Sequence, residues 1–309
     1  MDQIAQAIET AIVDGRPGGS ELASAKLNLA LHVTGRRPDG YHLIESVVVF
    51  ADYADVVTAE PSSDGRMRLC VKGPFAPTLT DSTQPGDNLA IRAASALAQA
   101  AGKSPPPTKL TLTKRIPIAA GLGGGSADAA ATLRLLDRQW NLNLGPAKLA
   151  EIGVKLGADV PMCLASRPLI ARGIGDMITP IPMMPAMPIV LANPNVAIST
   201  SAVFAGLSGK EGPSLPPPPA RLRTLLDVIF WLRQSRNDLA DPAMIINKSA
   251  CAAAKALTRD PECLFARMSG SGASAFGIFA SMEAAERAAA RLRDDKPRWW
   301  IAPAMTQAA

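Results

Sequence analysis

The stretch IPIAAGLGGGSADAAATL, Ile116 to Leu133, places four glycines, three of them consecutive at Gly123–Gly125, directly before an alanine-rich segment of high helix propensity. Glycine reaches positive φ and lets another group come close to the backbone. A helix start offers unpaired N–H groups and the positive end of the helix dipole. A glycine loop feeding a helix is therefore a cradle for an anion, most often a phosphate. Alternatively, the glycines only make a tight strand-to-helix turn. Ser126 and Asp128 fall at the expected cap and first turn. The Ser126 hydroxyl is expected either to cap the helix or to face a phosphate or a bound cation.

Working outward, LTLTKRIP reads as the strand entering the loop and SADAAATLRLLDRQW as the helix leaving it. Upstream, ASAKLNLALHVTG alternates apolar and polar residues as a strand does, RRPDGYH is a turn, and LIESVVVFADYADVVTAE reads as one or two strands. MRLCVKG is another strand. DNLAIRAASALAQAAG is a helix capped by Asp87 or Asn88 and stopped at Gly102. Downstream, a helix starts at Pro146 and ends at Gly157. PLIARGIGDMITPI and MPIVLANP are strand candidates, and GPSLPPPP at 212–219 is a polyproline surface loop. Helices are expected at about 221–235 and 242–258, then strand, glycine loop and strand in FARMSGSGASAFGIFA. A helix in SMEAAERAAARLRDD and a strand in RWWIAPAM follow. Strands and helices mix without a βαβα rhythm, which favours α+β over a doubly wound sheet. Length suggests two domains. Residues 1–20 read as a helical N-terminal extension.

Composition narrows the function classes. Hydrophobic residues make up 48% and charged residues 19% of the 309 residues, with a net charge of +5. That is a globular chain with ample core material. Aromatics are only 4% and no basic run interleaves with them, which disfavours nucleic acid as a partner. No apolar run approaches the ~20 residues of a membrane helix. The N-terminus carries two acids in its first nine residues and no apolar core of a signal peptide, so a cytoplasmic location is expected. The four cysteines show no CxxC spacing and read as reduced thiols. His32 and His42 are the only histidines, too few for a His-built metal site.

Three familiar loops do not fit. A P-loop needs Gly-Lys-Ser/Thr, which is absent from this loop, where Gly125 is followed by Ser126 and Ala127. A dinucleotide fingerprint lacks its third glycine, since Ser126 stands there, and no second strand carries the acidic partner. A protein-kinase loop would precede a V-A-I-K strand. What remains resembles the GHMP superfamily of small-molecule kinases, named for galactokinase, homoserine kinase, mevalonate kinase and phosphomevalonate kinase. Its second motif, P-x-x-A-G-L-G-[GS]-[GS]-S-[AS], resembles Pro117–Ala127. Ala25-Lys-Leu-Asn-Leu29 resembles the first motif and Met268-Ser-Gly-Ser-Gly-Ala-Ser274 the third, in the same order. A narrower resemblance, over roughly residues 22–280, is to the 4-diphosphocytidyl-2-C-methyl-D-erythritol kinases. AKLNLALHVTGRRPDGYHLIESVVVFADYAD, DNLAIRAA, LGADVPMCL, STSAVF, NDL and MSGSGASAF carry it, with Pro-Asp-Gly-Tyr-His the most member-specific run.

The resemblance implies a two-domain α+β fold, ribosomal-protein-S5-like over 21–175 and ferredoxin-like over 176–309, with the active site in the cleft between them. It implies transfer of the ATP γ-phosphate to the C2 hydroxyl of the methylerythritol unit, a step of the non-mevalonate isoprenoid route. Lys26 and Asp159 match the catalytic pair: Asp159 accepts the hydroxyl proton, and the Lys26 ammonium offsets charge on the transferring group. The ATP site would take Asn88, Pro117, Ala120, Gly121, Leu122, Gly123, Gly124, Gly125, Ser126 and Ala127. The substrate site would take Asn28, Tyr41, His42, Thr200, Phe204 and Gly272. Tyr41 and Phe204 would sandwich the cytosine. Gly270 and Gly272 would bring Ala273 and Ser274 near the phosphates or the acceptor. Mg²⁺ is expected with ATP, with Ser126 the one candidate ligand and the rest of the set open. Ala127 stands where many relatives have a second serine. Homoserine or mevalonate kinase activity, or nucleotide binding without catalysis, are the alternatives.

Overall fold

The computed structural model describes residues 19–82, 85–207 and 212–309. The helix expected over residues 1–20 lies almost wholly outside them. Two compact units emerge, both discontinuous in sequence. Unit 1 takes residues 1–25, 54–118 and 123–166, and unit 2 takes 26–53, 119–122 and 167–309.

Two long strands, β1 (Ser20–Arg36) and β2 (His42–Pro61), contribute to both units. β2 is one strand, without a break. The interior of β1 is buried on both faces from Ala23 to Val33, which explains its dense Leu and Ala content and makes its buried Lys26 and Asn28 unusual.

In unit 1 the second part of β2 pairs antiparallel with β4 (Thr108–Thr113), Val56 opposite Thr113, and β3 (Arg68–Lys72) pairs parallel with β4. A short helix α1 (Ala76–Ser82) follows β3. Helices α2 (Leu89–Ala100), α3 (Gly124–Gln139), α4 (Gly145–Leu156) and α5 (Val160–Ala165) form the helical layer, with α3 packed against the other three. α3 is buried nearly all round, which suits its small Ala127, Ala129, Ala130 and Ala131. Its one buried long cation, Arg134, is fully committed. It donates to Glu21 Oε1 at 2.6 Å and to the carbonyls of Cys163 and Leu164, closing the last turn of α5. α5 had no sequence signal beyond Pro161.

In unit 2 the first part of β2 pairs antiparallel with β5 (Leu169–Gly173), and β5 with β6 (Met177–Pro180). A second sheet runs β10 (Trp300–Met305), β7 (Pro188–Asn193), β9 (Ala275–Ile278), β8 (Phe265–Met268), antiparallel throughout. Further helices are α6 (Thr200–Ala205), α7 (Leu225–Arg233), α8 (Ala240–Ile246), α9 (Ala252–Thr258) and α10 (Met282–Asp295). α9 and α10 cover the second sheet through Leu257, Ala285, Ala288 and Phe279. α7 starts at a capping box between Thr224 and Asp227, later than its apolar spacing predicts. The single helix expected over 242–258 is two. Asn247 leaves helical geometry at φ −146° and its Oδ1 takes Ser249 N–H at 2.9 Å, an Asn turn that competes with the helix.

Candidate active site

Unit 2 brings the first motif, the middle of the glycine loop and the third motif together. Lys26 and Asn28 lie two apart on β1 and leave its same face. Lys26 Nζ donates to Asn28 Oδ1 at 3.1 Å, and Lys26 N–H donates to Leu122 O at 2.9 Å. Asn28 N–H donates to Ser269 Oγ at 3.0 Å, and Ser269 Oγ donates to Gly121 O at 3.3 Å. Ser274 N–H donates to Ala120 O at 3.2 Å. Gly121 sits at φ +73°, and a β-carbon there would fall 2.7 Å from Gly272 O. Only glycine fits where these two loops touch. Ser274 is fully buried, its hydroxyl accepting from Asn193 Nδ2 at 2.8 Å.

Unit 1 carries the rest of the glycine loop. Gly123, left-handed at φ +64°, is the N-cap of α3 and supplies no side-chain bond. The helix starts at Gly124, two residues ahead of Ser126, so Ser126 does not cap it: glycine's positive φ sets the start instead. The first bond of α3 is Ala127 N–H to Gly123 O, at 2.9 Å. The N–H groups of Gly124, Gly125 and Ser126 therefore have no acceptor within the helix. Gly125 is exposed and Ser126 half-buried. Pro117, Ala120, Leu122 and Ala127 are buried, so what they can offer a ligand is backbone. Asn88 caps α2, its Oδ1 accepting from Ala90 N–H at 2.9 Å.

Beneath the loop, unit 1 holds a charge cluster that the sequence did not disclose. Lys114, at the end of β4, donates to Asp55 Oδ2 and, at 2.7 Å, to Asp128 Oδ2, and all three are buried. Asp55 Oδ1 takes the N–H groups of Arg115 and Ile116. Asp128 thus faces inward from the helix start. Burial pushes its acid up to about 7 against the pull of Lys114, and Asp128 Oδ1 has no hydrogen-bond partner among the described residues. The two carboxylates hold the Lys114 ammonium charged above its ordinary range, against desolvation, which alone would lower it. A β-carbon at Gly124 would lie 3.4 Å from Lys114 Nζ.

Asp159 is the N-cap residue of α5, half-buried, with its carbonyl accepting Cys163 N–H at 3.1 Å. In unit 2, Tyr41 is 62% exposed, and Thr200 is exposed as well. The His42 ring lies 5.5 Å from that of Phe204, tilted by 31°. Burial, with Arg36 nearby, lowers the His42 pKa. Thr200 Oγ1 lies 2.8 Å from Ser271 Oγ in the third motif. Phe204 also packs against the apolar cluster of Leu31, Val203 and Met268.

The donor set fits a phosphate: three N–H groups without helical acceptors behind a left-handed glycine. For a metal it is sparse. Among the described residues no group of three or more His, Cys, Asp or Glu is arranged to hold an ion. Ser126 offers one hydroxyl. No helix of the described residues is long and apolar enough to cross a membrane.

The chain matches the model of the GHMP kinases N-terminal domain over residues 88–167 and that of the GHMP kinases C-terminal domain over 222–297. It is 47% identical over 282 residues to a 4-diphosphocytidyl-2-C-methyl-D-erythritol kinase of Rhizobium johnstonii, covering 91% of both chains. The enzyme of the same name from Ruegeria pomeroyi is 48% identical, over 91% of this chain and 96% of its own. The crystal structure of a 4-(cytidine 5'-diphospho)-2C-methyl-D-erythritol kinase superposes with a TM-score of 0.74 at 32% identity, covering 93% of this chain and 99% of that one. Homoserine kinase from Cytophaga hutchinsonii shares the fold, with a TM-score of 0.66 at 15% identity over 96% of both chains.

Proposed function

The chain belongs to the 4-diphosphocytidyl-2-C-methyl-D-erythritol kinases, within the GHMP kinases, and from that membership we propose how its residues work. It is a small-molecule kinase with ATP as phosphate donor and an alcohol as acceptor. The acceptor is the C2 hydroxyl of 4-diphosphocytidyl-2-C-methyl-D-erythritol, and the products are its 2-phosphate and ADP, formed in the cytoplasm.

The N–H groups of Gly124, Gly125 and Ser126 bind the ATP phosphates, aided by the helix dipole of α3. Gly121 and Gly123 let the loop curl around them. Asp159 takes the proton of the acceptor hydroxyl as the oxygen attacks the γ-phosphorus and the bond to the ADP oxygen breaks. Lys26 opposes the negative charge on the transferring group. Tyr41 stacks on the cytosine, with His42 and Phe204 beside it and Thr200, Asn28 and Gly272 lining the rest. Mg²⁺ bound with ATP would neutralise phosphate charge, with Ser126 its one candidate protein ligand.

The convergence of Lys26 with the two glycine loops on three hydrogen bonds inside unit 2 supports this reading most directly. The test is ADP release from Mg-ATP with 4-diphosphocytidyl-methylerythritol, homoserine and mevalonate as parallel acceptors. Turnover on the cytidylyl acceptor alone is expected. Turnover only on another acceptor would discard the Tyr41 pocket. ATP binding with no turnover on any acceptor would discard the catalytic roles.

A further inference from the structure

Two buried hydroxyls close on one residue of the site. Ser46 and Ser269 are both 0% exposed, and both bond to Asn28, one at its side chain and one at its backbone.

The side-chain chain has a direction fixed by chemistry. A lysine ammonium only donates, so the amide of Asn28 must present its oxygen to Lys26. Turned by 180°, the amide would set its NH₂ against the NH₃⁺. Ser46 prevents that turn. Its single proton goes to Ala30 O at 2.7 Å, which leaves its oxygen as the acceptor for Asn28 Nδ2, also at 2.7 Å. The order is therefore Lys26 Nζ to Asn28 Oδ1, Asn28 Nδ2 to Ser46 Oγ, Ser46 Oγ to Ala30 O. The last acceptor is backbone of the same strand, β1.

The backbone chain works alike. Ser269 Oγ accepts Asn28 N–H and gives its proton to Gly121 O. Its own N–H donates to Ser274 O at 2.9 Å, and its carbonyl accepts Gly272 N–H at 3.0 Å, so the serine cannot shift without moving the third loop. Gly270 stands at φ +54°, where a β-carbon would lie 3.0 Å from Asn28 Oδ1, and so leaves room for the Lys26–Asn28 contact.

We propose that Ser46 and Ser269 are positioning residues for phosphoryl transfer: they lock Asn28 so that its oxygen aims the Lys26 ammonium, and Ser269 also fixes the glycine loop at Gly121. The proposal rests on the catalytic reading of Lys26. It separates the two serines by their kinetic signatures, because only Ser269 touches the nucleotide loop.

The experiment is steady-state kinetics, with kcat and both KM values, on Ser46→Ala, Ser269→Ala, Asn28→Ala, Lys26→Ala and the double variant Ser46→Ala/Asn28→Ala. Ser46→Ala is expected to lower kcat by roughly 10- to 100-fold, the cost of a misaimed catalytic group, with KM for ATP near wild type. Ser269→Ala is expected to lower kcat and also to raise KM for ATP. Adding Ser46→Ala to Asn28→Ala is expected to change kcat by less than about two-fold, since no amide is left to aim. A merely structural serine would multiply its loss onto that of Asn28→Ala, and that result, or a Ser46→Ala enzyme with wild-type kcat, overturns the proposal. Lys26→Ala identifies which idea failed. If it is inactive while both serine variants are normal, only the positioning idea falls. If it is fully active, the catalytic reading falls and the proposal with it. Should Ser46→Ala not fold, Ser46→Cys keeps the bulk with weak hydrogen bonds and carries the same test.

Discussion

Asp159 meets its helix through its carbonyl, not its carboxylate, so removing the carboxylate leaves that backbone bond to Cys163 in place. Asp159→Ala is expected to lose roughly 10²- to 10⁴-fold in kcat, as removal of a general base does. An Asp159→Ala enzyme with wild-type turnover would end the assignment. Tyr41 is mostly exposed and contributes little to the core. Tyr41→Ala is expected to raise KM for the cytidylyl substrate roughly 5- to 150-fold, the equivalent of about 1–3 kcal/mol of base stacking, and to leave KM for ATP unchanged. Equal changes in both constants would contradict stacking. Lys26, Asn28 and the glycines were legible in the sequence because each belongs to a short motif whose spacing is its geometry. Ser46 was not. It is one polar residue before Val47-Val-Val49, and its meaning comes from Asn28, 18 positions earlier on another strand.

At the scale of elements, the glycine loop is tethered on both sides by one buried cluster. Asp55 holds the N–H groups of Arg115 and Ile116 before the loop, and Lys114 holds Asp128 after it. Lys114→Met would leave two buried carboxylates without their cation. It is expected to cost about 3–5 kcal/mol in urea unfolding, well beyond a surface lysine. The sequence showed the strand, the loop and the helix, because local spacing and glycine chemistry dictate them. It did not show this clamp, since Asp55 and Lys114 are 59 residues apart and look like surface charges until their burial is seen. A second clamp sits on β1. The N–H of Arg236 donates to His32 Nε2 at 3.0 Å, so the imidazole proton must sit on Nδ1, which lies 3.1 Å from Pro213 O. Both nitrogens are thus occupied in the neutral ring. Burial chiefly, with Arg236 adding to it, lowers the His32 pKa below 6.5. The unfolded chain then binds the proton first as pH drops. The stabilisation is complete above about pH 6.5 and is lost as pH falls below it. Wild type should lose stability relative to His32→Gln, which keeps a polar amide without titrating, between pH 7.5 and 5.5. Parallel curves for the two would refute the linkage.

Across the whole molecule, the α+β character and the order of nearly all strands were legible, because apolar periodicity and glycine punctuation survive without tertiary context. The division into units is a different kind of fact. It follows from contacts, and β1 and β2 each contribute to both units, which no local pattern announces. None of the four cysteines forms a disulfide, and burial raises the thiols of Cys251 and, to about 11, Cys263. Reductant is therefore expected to leave the unfolding temperature unchanged; a shift downward would reveal a bond. The bond from Asn28 to Ser269 closes a separation of 241 residues. At the usual pace of synthesis, about 5–20 residues per second, the ribosome needs roughly 12–48 s to deliver the second partner after the first. For that interval the nascent chain carries Leu31 without the Leu239, Ala243 and Met268 surface that covers it, so shelter by chaperones, and the speed of translation between the two motifs, should govern how much enzyme a cell obtains from each message.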